Sequence, residues 1–192
     1  KDNFPLSPYA LLSELKIADC HYFQKEYEEA RAWYENFKKF HPTHPKIPYV
    51  EYQIGMCYFK EINSIDRDQS PTEKAILQFE YLISKFPNCS YINDCKKKIA
   101  YCRQRLIENE FYIGEFYYES KKYKAAISRF RSLLENYPPS SELDPKVIFY
   151  LGKCYLKLKN KSQAKSAFNI LVERYPNTEY GKEAKKILKS FD

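Results

Sequence analysis

Six cysteines, three histidines and one Asp-Arg-Asp triplet are the side chains of this 192-residue sequence that could carry metal, redox or acid–base chemistry. No Cys-x-x-Cys pair occurs among them, so the common zinc and dithiol spacings are missing. Cys95 and Cys102 lie seven residues apart and share a helix face, but about 10 Å along the axis separates them, too far for a bond. Cys89 is the one cysteine expected in a loop; the spacing allows a Cys89–Cys95 bridge in an oxidising compartment, while free thiols are the expectation. His41 and His44 stand in His-Pro-Thr-His-Pro without a third ligand nearby, so they are expected to serve the turn, not a metal. Asp66 and Asp68 flank Arg67, which suggests a loop-fixing ion network more than a general acid and base. No nucleophile elbow or phosphate loop is present, so no catalytic, metal or cofactor site is expected.

The composition narrows the partners. Four glycines against eleven prolines argue against a turn-rich β fold. The formal charge is +7, yet the basic residues are scattered. Their densest run, Lys96-Lys97-Lys98, sits beside Asp94 and reads as a solvated helix face. Nucleic acid is therefore not an expected partner, although an acidic protein or anionic surface would be mildly favoured. No segment has the roughly 18 consecutive apolar residues of a membrane span.

The elements that must position these residues come from an internal repeat. Ile54-Gly55-x-Cys57-Tyr58, Ile113-Gly114-x-Phe116-Tyr117 and Leu151-Gly152-x-Cys154-Tyr155 are copies of one pattern, with a looser fourth at Ile17-Ala18-x-Cys20-His21. Downstream of each stands a small residue (Ala30, Ala75, Ala126, Ala164), then an aromatic at i+4 (Tyr34, Phe79, Phe130, Phe168). An apolar residue follows at i+7 (Phe37, Leu82, Leu133, Leu171), and a proline closes each unit (Pro42, Pro87, Pro138, Pro176). Small, +4 and +7 form one helical stripe, and the Gly or Ala lets two helices approach closely. The shared register puts Cys20, Cys57 and Cys154 at one position, so all three are expected to be buried core thiols. One hairpin cannot bury both of its faces, so the hairpins must stack. The pattern resembles the tetratricopeptide repeat, which implies an all-α, right-handed superhelical solenoid formed by residues 1–192 as a single domain of about four repeats.

Departures from regular spacing carry further information. The second unit has eight extra residues within Glu61 to Lys74, expected as a surface loop. Tyr91 to Lys121 contains no proline and keeps a helical pattern, predicting one helix of seven or eight turns. Pro5 reads as the closing proline of a repeat whose body lies upstream, and Glu179 to Phe191 as one amphipathic helix with Tyr180, Ala184, Ile187 and Leu188 inward.

The first helix of the second unit has two apolar stripes. Val50, Ile54, Cys57 and Tyr58 face the stack, while Tyr49, Tyr52, Met56 and Phe59 form the other. With Tyr22 and Phe23 of the first unit, also joined there by Leu12, Leu15 and Asp19, this stripe is expected to form an aromatic peptide-binding groove. Either a partner or a repeat upstream of Lys1 covers those aromatics. The later units are charged at the same positions, with Lys146, Lys153 and Lys157 expected to face a partner.

Several segments resemble the BamD (ComL) family of outer-membrane β-barrel assembly lipoproteins. They are Phe4-Pro5-x-Ser7-x-Tyr9-Ala10, His41-Pro42-Thr43-His44-Pro45-Lys46-Ile47 running into Tyr49-Val50-x-Tyr52, the insertion with Asp66-Arg67-Asp68, and the long helix through Glu110-Phe111 and Glu115-Phe116-Tyr117-Tyr118. The resemblance implies a non-catalytic scaffold on the periplasmic face of the bacterial outer membrane, held by an amino-terminal lipid that this chain does not carry. It implies as partners the barrel-forming assembly subunit, the aromatic-ending carboxy-terminal signals of precursors, and other assembly lipoproteins. The alternatives are another cell-envelope repeat adaptor, such as a Tol-associated cell-division coordinator, or a generic peptide-binding adaptor.

Overall fold

The computed structural model describes residues 8–137 and 143–191, and the described residues are helical or in short connections. The helices are α1 (Pro8–Phe23), α2 (Tyr27–Phe40), α3 (Ile47–Lys60), α4 (Ser70–Lys85), α5 (Ile92–Glu119), α6 (Tyr123–Asn136), α7 (Asp144–Lys157), α8 (Lys161–Arg174) and α9 (Glu179–Leu188). The chain divides into two compact units, residues 1–106 and 107–192, with the division inside α5. The fold is all-α and built from tetratricopeptide-type hairpins.

The repeat stripe is the core. Ala30, Tyr34 and Phe37 of α2, Ala75, Phe79 and Leu82 of α4, Ala126, Phe130 and Leu133 of α6, and Ala164, Phe168 and Leu171 of α8 are all buried, none more than 2% exposed. Removing each large side chain from water stabilises by about 1.5–3 kcal/mol. The glycines are explained by the same contact. A methyl group at Gly55 would lie 2.5 Å from Phe79 Cε1, and one at Gly152 would lie 2.7 Å from Phe168 Cε1. Gly114 and Phe130 are in the same relation. Each first helix therefore lies flat on its hairpin's aromatic ring.

Hairpin turns are tight. Lys25, Lys121 and Lys159 occupy the left-handed region (φ 66°, 60° and 59°), each seven residues after the small residue of its repeat. They allow Glu26, Lys122 and Asn160 to donate their N–H groups back to the carbonyls of His21, Tyr117 and Tyr155, which satisfies the helix ends. The second repeat replaces this turn with its insertion. There the loop occupies residues 61–69, shorter than expected, because Ser70, Pro71 and the residues up to Lys74 already form the first turn of α4. Proline suits that position, where its missing N–H has no helical partner to lose.

Pro42, Pro87 and Pro176 stand two residues beyond the ends of α2, α4 and α8. Pro138, and the opening segment Phe4-Pro5 with Ser7, lie outside the described residues. Helix α5 has 28 residues, about eight turns. Near the end of the chain, Ala184 is buried while Tyr180, Ile187 and Leu188 pack half-buried on the α7–α8 core.

The shared register does not bury all three cysteines. Cys57 and Cys154 are buried, but Cys20 is exposed. The reason is positional: Cys57 packs with the α2 residues Ala30 and Tyr34, and Cys154 with the α6 residues Ala126 and Phe130, so each is covered by the helix preceding its own. No described helix precedes α1. Burial pushes the thiols of Cys57 and Cys154 up to about 12, and those of Cys95 and Cys102 to about 11, from an ordinary 9.0. Cys20 should thus be the thiol alkylated within minutes by iodoacetamide at pH 8, followed by half-buried Cys89, with the other four reacting only on unfolding. Because the raised values favour the neutral folded form, their stabilisation is complete below pH 9 and lost as pH rises from about 9 to 12. The thermal midpoint should fall over that range, and fall less in a Cys57→Ala, Cys154→Ala variant.

Candidate functional site

In the first unit, α1, the α3 amino terminus and the residue preceding α5 enclose a cleft of about 280 Å³. Leu12, Leu15, Tyr49 and Tyr91 supply its apolar walls, and Lys16 and Lys46 its cations. Asp19 anchors it. This carboxylate is 8% exposed, and its Oδ1 accepts hydrogen bonds from Tyr34 (2.8 Å) and Tyr49 (2.6 Å). Its Oδ2 lies 3.2 Å from Lys16 Nζ. Gln53 Nε2 donates in turn to the Tyr49 hydroxyl at 2.9 Å. Burial first, then the bond to Asp19, pushes Tyr49 up to about 12, so the hydroxyl remains a donor at any physiological pH.

The structure does not assemble Tyr22, Phe23, Tyr49, Tyr52, Met56 and Phe59 into one open groove. Tyr52 stacks on Tyr91 (centroids 4.5 Å apart, planes 19°) and donates to Asp94 Oδ2 at 2.6 Å. Met56 is buried with Cys95, Ile99 and Cys102 of α5. Phe59 packs on Phe79 and Tyr101 under the Lys98 ammonium. The second stripe of α3 is thus largely covered by the first helix of the next repeat, as its apolarity requires. Tyr22 is half-buried and Phe23 is 77% exposed, neither lining the cleft. Tyr49 does line it, together with the Leu12, Leu15 and Asp19 of the first unit.

Lys16 and Lys46 join the site from the structure and not from the repeat pattern, and Tyr91 joins them there. A register signal exists for Tyr91. It stands four residues after Pro87, as Tyr180 does after Pro176. Each stacks or tilts on the aromatic three residues before the preceding glycine, Tyr91 on Tyr52 and Tyr180 on Phe149 (5.3 Å).

Histidines 41 and 44 both pack on Phe37, at 4.9 and 5.2 Å. His44 Nδ1 accepts the Lys46 N–H (3.1 Å), and His41 Nε2 lies 3.2 Å from Glu14. These contacts bind the turn to α1 and α2. The insertion is held differently from the expected ion network. Asp66, Arg67 and Asp68 are exposed, and a hydrogen bond from Ser64 is the main reason the Asp66 carboxyl is held below its ordinary value. Buried Gln69 does the fixing: its Nε2 donates to the carbonyls of Ser64 (2.8 Å) and Arg67 (2.9 Å), and its Oε1 accepts from Thr72 (2.9 Å). Arg105 of α5 donates to the Asn63 carbonyl at 2.9 Å.

In the second unit, Lys146 lies over the Phe111 ring (4.3 Å) and 3.9 Å from Glu115, which also accepts from the Tyr150 hydroxyl at 2.8 Å. Lys153 sits over Tyr118, and Lys157 is exposed at the end of α7. No helix among the described residues is long and apolar enough to cross a membrane.

Known proteins place this arrangement. The model of the YfiO outer membrane lipoprotein family matches residues 1–167. The chain is similar to the outer membrane protein assembly factor BamD of Caulobacter vibrioides, 31% identical over 137 residues, which is 71% of this chain and 45% of that protein. The Rickettsia prowazekii protein of the same name is 35% identical over 125 residues, 65% of this chain and 50% of that one. That of Neisseria gonorrhoeae is 29% identical over 147 residues, 71% of this chain and 55% of that one. The chain therefore spans about half the length of the curated relatives it matches. With a match over residues 1–167, this chain belongs to the YfiO outer membrane lipoprotein family.

Proposed function

We propose that this chain is a non-catalytic scaffold of outer-membrane protein assembly, working at the periplasmic face of that membrane by binding polypeptides. The names of its relatives support the setting. The observation that carries the binding role is the first-unit cleft, with apolar walls beside two ammonium groups. An aromatic side chain at a carboxy terminus offers the complement: a ring for Leu12, Leu15 and Tyr91, and an α-carboxylate for Lys16 or Lys46. Precursors of outer-membrane barrels that end in such a residue are the proposed ligands of this unit. The barrel-forming subunit is the proposed partner of the second unit, through the face that carries Lys146, Lys153 and Lys157.

A synthetic peptide ending in free phenylalanine tests the first assignment by fluorescence anisotropy. It should bind, and amidating its terminus should weaken binding about tenfold. Lys16→Gln with Lys46→Gln should cause a similar loss, roughly one to two exposed charge pairs. Equal affinity of acid and amide would remove the cleft as the signal site.

A further inference from the structure

We infer that the second unit holds its own peptide pocket, specific for an internal segment in which a large apolar residue and a carboxylate stand two positions apart. It deepens the assignment of the second unit to a partner subunit, and rests on that reading only for the partner's identity. The pocket, about 370 Å³, lies among the first helices α5, α7 and α9 of its repeats, walled by Tyr118, Phe149, Leu156 and Ile187. That volume accommodates one bulky side chain with adjoining backbone.

Its cations set the rest of the specificity. Lys153 Nζ is held over three rings, 5.1 Å from Tyr118, 5.3 Å from Tyr150 and 5.6 Å from Phe149. These rings position the ammonium at the pocket without neutralising it. Lys146, on the same helix, has Glu115 as an acidic partner; Lys153 and Lys157 have no carboxylate within ion-pair distance among the described residues. The two are one helical turn apart, about 6 Å along α7. Residues i and i+2 of an extended peptide point to the same side at about 6.6 Å, so a ring settled on Phe149 and Ile187 places a carboxylate two residues away along the line of Lys153 and Lys157. Glu183 on the α9 wall, with no cation in ion-pair distance among the described residues, repels a second acid on the opposite side. Charge thus fixes both the ligand's single acid and the direction in which it lies.

The amidated peptide acetyl-Ala-Phe-Ala-Asp-Ala, which has no α-carboxylate, tests the pocket by titration into the full chain. It should bind, and replacing its Asp by Asn should weaken it about fivefold, the upper range for an exposed charge pair. Lys157→Gln should abolish most of that Asp-against-Asn difference, as should Lys153→Gln, and a peptide with Phe replaced by Ala should not bind. The inference is overturned by equal binding of the Asp and Asn peptides, by a difference that survives both lysine variants, or by no binding at millimolar peptide. Tighter binding of acetyl-Ala-Ala-Phe with a free terminus would also overturn it, assigning the pocket to chain ends. A peptide that binds as expected, while the intact assembly complex lacks any segment there, would defeat the partner assignment and leave the pocket standing.

Discussion

Gly114→Val is expected to destabilise the second unit by about 3 kcal/mol, the upper range for overpacking a core and a large fraction of a domain's stability. Any Cβ at this position runs into the ring of Phe130, a fully buried side chain that cannot move aside without opening the core between α5 and α6. Valine does have a slightly better helix propensity than glycine, but only by a few tenths of a kcal/mol, so the clash wins. The cost should show as a lowered urea midpoint with loss of near-ultraviolet dichroism. If the cause is the ring, Phe130→Ala in the same chain should make the two losses clearly less than additive. A variant as stable as the wild type would mean that the hairpin is not packed as closely as Gly114 implies.

Asp19→Ala is the second large effect, expected at about 2–4 kcal/mol. It strands the hydroxyl of Tyr34, which has no exposure to water, and removes the acceptor of Tyr49. An unsatisfied buried donor costs about 1–3 kcal/mol. Tyr49 borders the cleft, where water can replace the lost acceptor, so most of the loss belongs to Tyr34. Tyr34→Phe should therefore recover much of the deficit when combined with Asp19→Ala. Equal stability of Asp19→Ala and the wild type would show that the carboxylate is not the anchor described.

The sequence made the hairpins legible because every repeat solves the same contact: Gly or Ala against an aromatic ring, with the ring's own helix stopped by proline. Ala30, Tyr34 and Phe37 and their counterparts could be assigned to the core from spacing alone. Cys20 could not, since its burial depends on a preceding helix and not on its own. For Tyr52, Met56 and Phe59 the apolar stripe was visible, but an apolar stripe reads alike whether a ligand or the next helix covers it. Here α5 covers most of it. Nothing in the sequence marks Lys16 and Lys46, because a lysine gains meaning only from the cavity it borders. Nothing marks Gln69 either, because one amide holding two carbonyls leaves no periodic trace, whereas the charged triplet beside it has a recognisable pattern. The left-handed Lys25, Lys121 and Lys159 share a register that marks them, although glycine is the residue usually sought there.

The central claim, that this chain binds the polypeptides of outer-membrane assembly through two faces, is tested most directly by co-purification from a bacterial envelope extract. Immobilised chain should recover a large outer-membrane barrel protein with repeated periplasmic domains, and Lys153→Glu with Lys157→Glu should reduce that recovery several-fold while leaving peptide binding at the Lys16–Lys46 cleft unchanged. Failure to recover any such barrel protein with the folded wild-type chain would contradict the claim.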